Sequence, residues 1–261
     1  MDALERALAA TLSRRRMLAA GIGLFCSGFL AGLLAACGLS RTASNPASPS
    51  ATTTSSTVPV STPTCVVTPQ ETEGPYFVDE RLNRADIRTD PSDGSTRPGL
   101  PVTLNFTVAR YGSPCTALAG AQVDVWHCDA LGLYSDVSAE NSSGRKFLRG
   151  YQLTDGNGRV TFTTIYPGWY RGRAVHIHFK VRTFSGSQKT FEFTSQIFFD
   201  DAVSDEVYRQ APYSSRGARD TRNAADMVYT SNNNSGSKLL ATLTSTSNGY
   251  DASFAIGLTS V

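Results

Sequence analysis

Residues 162–180 read F-T-T-I-Y-P-G-W-Y-R-G-R-A-V-H-I-H-F-K and hold two of the chain's three histidines. His176 and His178 alternate with Val175, Ile177 and Phe179, and successive side chains of a β-strand point to opposite faces. The stretch therefore predicts a strand with both imidazoles on one face and an apolar stripe on the other. Two imidazoles that close together on one rigid strand can bind a single metal ion. Tyr170 comes just before them, after a Pro167-Gly168 turn that lets the chain swing its phenol toward the same face. A hard trivalent cation such as Fe(III) suits phenolate oxygen together with imidazole, and its charge can deprotonate a phenol whose free pKa is about 10. Taken alone, the H-x-H pair is also consistent with a half-buried polar stripe on a strand.

Outward from this stretch the pattern is strand after strand. Segments 102–108, 122–128, 147–153, 159–165, 175–181 and 191–199 carry β-branched or aromatic residues at alternating positions, and 238–244 and 251–257 add two more. Asp155-Gly156-Asn157-Gly158 predicts a hairpin turn. Only 205–210 and 224–229 read as short helices. Eight or so short strands in one domain imply an all-β chain built as a two-layer β-sandwich. No internal repeat or second linker divides residues 65–261, an ordinary length for one domain.

The first 64 residues are of another kind. Three arginines, Arg14 to Arg16, follow Ser13, and an uncharged apolar run from Met17 to Ala36 leads to Cys37. A positive region, an apolar core and small residues before a cysteine follow the plan of a signal peptide, and the paired arginines resemble a twin-arginine export signal. Leu34-Ala35-Ala36-Cys37 resembles a bacterial lipobox, which would make Cys37 a lipidated N-terminus, anchored to the outer side of a membrane without spanning it. The other reading of the apolar run is an uncleaved transmembrane helix. Residues 38–64 are mostly Ser, Thr, Pro and Ala, a composition too poor in apolar surface to offset ordering entropy. Such a tether has a typical end-to-end distance of about 25–30 Å.

The full chain holds 24 Lys+Arg and 22 Asp+Glu. Four arginines and two acids fall in the first 36 residues, which leaves 20 of each sign. A balanced charge with no basic block argues against nucleic acid as a partner. Of five cysteines, Cys26 leaves with the signal and Cys37 takes the lipid; Cys65, Cys115 and Cys128 remain for an oxidising compartment. A Cys65–Cys115 bridge is the favoured pairing, with Cys128 a buried free thiol.

Three motifs now combine: T-P-Q-E-T-E-G-P-Y-F at 68–77, V-D-V-W-H-C-D-A-L-G-L-Y at 123–134, and F-T-T-I-Y-P-G-W-Y followed by R-A-V-H-I-H. Together, and in this order, they resemble the intradiol ring-cleavage dioxygenases, most of all their exported branch, over about residues 68–199. The resemblance implies that Tyr134, Tyr170, His176 and His178 ligate a non-haem Fe(III). It also implies that Arg173 is an active-site arginine and that Gln196, in T-S-Q-I-F-F, lies against the substrate. His127 falls at a position that is not a ligand, and is left to a supporting or structural role. Exported relatives often carry a cysteine where this chain has Val175, so Cys128 lacks a partner it would otherwise have.

The implied chemistry is substrate activation: a catechol-type diol loses its protons and binds Fe(III), and its ring reacts with dioxygen and opens to a cis,cis-muconate-type diacid. Tyr170 would give way to the diol and accept a proton, while Arg173 would stabilise negative charge. The loops at 135–146 and 78–90 are expected to line the mouth. The reading from another class is an exported β-sandwich that binds aromatic or carbohydrate material, with a vestigial metal site. A structural zinc site is disfavoured by two tyrosines. The diol itself stays open among catechol, substituted catechols and hydroxyquinol, and so does the oligomeric state.

Overall fold

Alternation of apolar and polar residues builds both layers of the fold. A computed structural model describes residues 66–259 and 261; the stretches read as an export signal and a tether, with Cys37 and Cys65, lie outside them. In β1 (Pro101–Arg110), Val102, Leu104, Phe106 and Val108 are buried, and the intervening Thr103, Asn105 and Thr107 are partly exposed. β1 is the centre of a five-stranded sheet. It pairs in parallel with β9 (Tyr250–Leu258), which pairs with β8 (Thr242–Ser245). Its other edge is shared by the short β2 (Thr116–Ala117) and by β5 (Arg159–Ile165). The second sheet is antiparallel, in the order β4 (Arg149–Leu153), β3 (Gln122–Trp126), β6 (His176–Ser185), β7 (Gln188–Phe198).

The two sheets face each other through aromatic rings, as in a sandwich. Phe179 lies 5.3 Å from Phe106 and 6.1 Å from Phe254 between ring centroids. Ile177, Phe179 and Val181 of β6 point into this core. His176, His178 and Lys180 point the other way, yet they too are buried. β6 therefore has two dry faces, one apolar and one polar.

The all-β sandwich expected from the pattern is the fold observed. Four local expectations change. The Asp155–Gly158 turn forms, with the Gly158 N–H donating to the Asp155 carbonyl at 2.9 Å, but it does not close a hairpin. β4 pairs with β3 and β5 with β1, so the turn carries the chain from one sheet to the other. The helix expected at 205–210 is α1 (Asp201–Val207), because the Asp200 carboxylate caps it, accepting from the N–H groups of Ala202 and Val203. Residues 224–229 are not a helix: a single 3-10 turn (Asn223–Ala225) is followed by a turn that the Asp226 side chain organises. The strand expected from 238 starts at Thr242, because Ser235–Lys238 coil into a 3-10 turn. Cys115 is disulfide-bonded and Cys128 is a buried free thiol; Cys65, its expected partner, is outside the described residues.

Phe106 is 1% exposed and packs on Phe179, on the apolar face of β6 opposite the histidines. Phe106→Ala should lower the unfolding free energy by about 3–5 kcal/mol through lost burial and a cavity between the sheets. Urea unfolding of the full chain checks this; a loss below about 1 kcal/mol would mean that the sheets do not depend on this contact.

Candidate functional site

The polar face of β6 is set by pairing register. His178 stands opposite Trp126 on β3 and Gln196 on β7, and His176 stands opposite Phe198. The indole of Trp126 stacks on the His178 ring at 4.9 Å with 8° between planes, which fixes the imidazole's orientation. His176 Nδ1 lies 2.6 Å from the Ala174 carbonyl. A carbonyl can only accept, so Nδ1 carries the proton and Nε2 presents its lone pair. The two Nε2 atoms are 3.0 Å apart. Burial holds both imidazoles well below the usual histidine pKa, and for His178 the neighbouring His176 adds to this. They are neutral donors.

Two loops bring phenols to the same point. The Tyr170 hydroxyl is 3.1 Å and the Tyr134 hydroxyl 3.5 Å from His176 Nε2. The loops meet at Gly168, whose N–H donates to the Asp129 carbonyl at 3.1 Å. A Cβ there would come within 2.4 Å of that oxygen, so only glycine allows the loops to close this tightly. The Tyr134 N–H donates to Glu140 Oε2 at 2.7 Å, anchoring the first loop from within. Burial raises the pKa of both phenols; the guanidinium of Arg173 opposes this at Tyr170.

Arg173 completes the group. Its Nη2 donates to Gln196 Oε1 at 2.6 Å, its Nη1 reaches the Tyr170 hydroxyl at 3.5 Å, and its Nε pairs with Asp226 at 3.0 Å. The structure thus brings together all six side chains singled out in the sequence: Tyr134, Tyr170, Arg173, His176, His178 and Gln196. His127 stands apart. Its ring bonds Thr164 and the Cys128 carbonyl, and burial lowers its pKa to about 4, as suits a structural histidine.

The segment 72–77 is the lid on this face. A Cβ on Gly74, which has φ of +70°, would lie 3.4 Å from His178 Cε1. Tyr76 stacks on Tyr134 at 4.5 Å, Phe77 meets Trp126 edge-on at 4.8 Å, and Lys180 pairs with Glu73 while lying over the Phe77 ring. The side left open is a cavity of about 430 Å³ lined by Tyr76, Leu131, Gly132, Leu133, Glu140, Tyr170, Arg171 and Arg216. Of the loops expected at the mouth, 135–146 contributes Glu140, and no residue of 78–90 borders it. Sequence reasoning missed Asp226, 53 residues from the arginine it binds, and the part played by Tyr76.

The donor set suits one hard cation. Ligands about 2 Å from a shared ion lie about 3 Å from one another, close to the 3.0–3.5 Å separations around His176 Nε2. Among the described residues no three His, Cys, Asp or Glu side chains form a metal cluster, so an ion held here takes phenol oxygens. That composition matches iron better than zinc.

The family model described as dioxygenase matches residues 72–239. The solved intradiol ring-cleavage dioxygenase from Tetranychus urticae is 29% identical, with a TM-score of 0.64 over 74% of this chain and 94% of that one. The dioxygenase domain of a dioxygenase carbohydrate-binding protein fusion from Streptomyces sp. SirexAA-E is 28% identical, with a TM-score of 0.53 over 75% and 100% of the two chains. Catechol 1,2-dioxygenase 1 of Acinetobacter lwoffii is 26% identical over 160 residues, 51% of this chain and 49% of that protein. Chlorocatechol 1,2-dioxygenase of Pseudomonas putida is 28% identical over 148 residues, 49% of this chain and 52% of that protein. The matches thus span about half the length of these curated relatives. With the motifs in order, the sandwich, and a family match covering well over half its length, the chain belongs to the intradiol ring-cleavage dioxygenase family.

Proposed function

We propose that this protein is an Fe(III)-dependent dioxygenase that cleaves catechol-type diols between the two hydroxyl-bearing carbons, giving cis,cis-muconate-type diacids. The observation that carries the reading is the convergence of Tyr134, Tyr170 and His178 on the lone pair of His176 within 3.5 Å, with Tyr134 and both histidines buried and Tyr170 partly exposed. These four would hold the ion, which when bound supplies Lewis acidity to the diol and to the phenols. The names of the curated relatives, catechol and chlorocatechol 1,2-dioxygenases, support a catechol-type substrate.

The chain's own residues divide the remaining work. Tyr134 is 0% exposed and stacked under Tyr76, so it is the phenol that stays in place. Tyr170 borders the open cavity, so it is the phenol that gives way to an incoming diol and takes its proton. Arg173 keeps a cation beside Tyr170 and would stabilise the anionic diol. Gln196 orients that cation through its amide oxygen while its amide N–H donates to the Thr72 carbonyl at 2.8 Å. The 72–77 lid and the rings of Trp126 and Tyr76 exclude water, which strengthens each of these interactions. A vestigial site in a binding module would have no reason to keep the full set of donors with Arg173. Export and a lipid anchor on Cys37 belong to the same proposal; they rest on residues 13–37 and place the enzyme on the outer side of a bacterial membrane.

His176→Ala and His178→Ala each remove one of four donors. Both variants should purify folded but colourless, with iron below about a tenth of the wild-type content by elemental analysis and no oxygen uptake with catechol; full iron in either would take that histidine out of the ligand set.

Tyr170→Phe should keep iron through the other three donors, weaken the visible phenolate band, and lower turnover by about 100- to 10,000-fold, the usual cost of a lost acid or base. Spectra and oxygen consumption of the same preparation measure both effects. An unchanged turnover number would leave Tyr170 as a packing residue.

A further inference from the structure

Asp226 is a carboxylate completely out of solvent, in a turn that no sequence motif marked. Its Oδ2 accepts from Arg173 Nε at 3.0 Å and from the Ala174 N–H at 2.6 Å. Its Oδ1 accepts from the N–H groups of Val228 at 2.7 Å and Tyr229 at 3.2 Å. Both oxygens are thus filled, one by the site and one by the turn that carries the carboxylate. The Ala174 carbonyl in turn accepts the Nδ1 proton of His176. One carboxylate therefore ties down the Arg173 side chain, the Ala174 backbone and, through it, the His176 ring.

A guanidinium on a flexible stem has many rotamers, and its five N–H groups can be satisfied in many directions. Here two fixed acceptors remove that freedom. Asp226 holds Nε and Gln196 holds Nη2, so the plane of the fork is set and Nη1 is left facing the Tyr170 hydroxyl at 3.5 Å. Without the buried charge, the cation would lose its charge-assisted partner while Gln196 alone held one corner.

We propose that Asp226 is a positioning residue of this site, setting the plane of the Arg173 guanidinium. This rests on the function proposed above. Its consequence is that the negative charge at position 226 matters for turnover through Arg173, and not simply for folding.

The test uses the full chain loaded with iron. Asp226→Asn keeps size and one acceptor oxygen but removes the charge. It should retain iron and the resting visible band, and lose about 10- to 100-fold in kcat with a smaller change in KM, as expected when a reacting group is displaced by a fraction of an ångström to an ångström. Anaerobic titration with 4-nitrocatechol gives a readout apart from turnover: the spectrum of the bound probe should differ from that in the wild-type complex. In an Arg173→Ala background the same substitution should change kcat by less than about threefold, because the group it acts through is gone. A second full loss in that background, or an unchanged kcat and probe spectrum in Asp226→Asn alone, would overturn the proposal. If Asp226→Asn does not fold, Arg173→Lys serves instead; it keeps the charge but not the fork, and should lose turnover to a similar extent, while wild-type kcat there would overturn the proposal as well. Wild-type protein in parallel separates the two claims. A wild type inactive on every diol overturns the proposed function, whereas an active wild type with an unimpaired Asp226→Asn overturns the positioning role alone.

Discussion

The dry polar face of β6 is the constraint on which the rest of the structure depends. A strand in a sandwich usually buries one face and wets the other. Here the second face carries His176, His178 and Lys180, and each is at most 3% exposed. Polar groups are costly to bury unless they find partners. Trp126 on β3 and Glu192 on β7 supply part of these, and the rest come from outside the sheet, from the 72–77 lid and the two tyrosine loops. Much of the chain between the strands can be understood as the cover this one face requires.

Dryness also defines what the face can do. In the absence of a cation, burial favours neutral imidazoles and protonated phenols, and the pKa shifts of His176, His178, Tyr134 and Tyr170 all run that way. A bound trivalent cation would reverse the preference at the phenols, because its charge would be the largest in the neighbourhood and little solvent would screen it. His178 Nδ1, not the nitrogen that meets the other donors, is buried and finds no hydrogen-bond partner among the described residues, an omission that ordinarily costs about 1–3 kcal/mol. Sites keep such costs where function requires a particular donor in a particular place.

Much of this was legible in the sequence because it is local. Alternation in H-I-H-F shows which side chains share a face, and a strand cannot separate His176 from His178. The convergence of Tyr134 and Tyr170 on that face was carried by the resemblance of whole motifs, since nothing in either loop alone states where its phenol goes. What stayed hidden was long-range. Asp155-Gly156-Asn157-Gly158 announces a reversal, but which sheet receives the next strand depends on Arg159 finding Thr107 on β1. Residues 224–229 look like a short helix because Asp226 gives no sign of the arginine it meets. The lid at 72–77 was visible as a motif without a task, because its contacts with His178, Tyr134 and Trp126 exist only after the sheet has formed.

The account's central claim is that these donors hold Fe(III) and that the chain performs intradiol cleavage with it. The most direct measurement is the reaction of iron-loaded protein with catechol under isotopically labelled dioxygen, with the product identified by mass spectrometry. The account predicts cis,cis-muconate containing oxygen from labelled dioxygen, with one dioxygen consumed per diol. A semialdehyde from cleavage beside the diol, a quinone with no label incorporated, or no reaction with catechol, substituted catechols or hydroxyquinol in protein that holds a full complement of iron would contradict it.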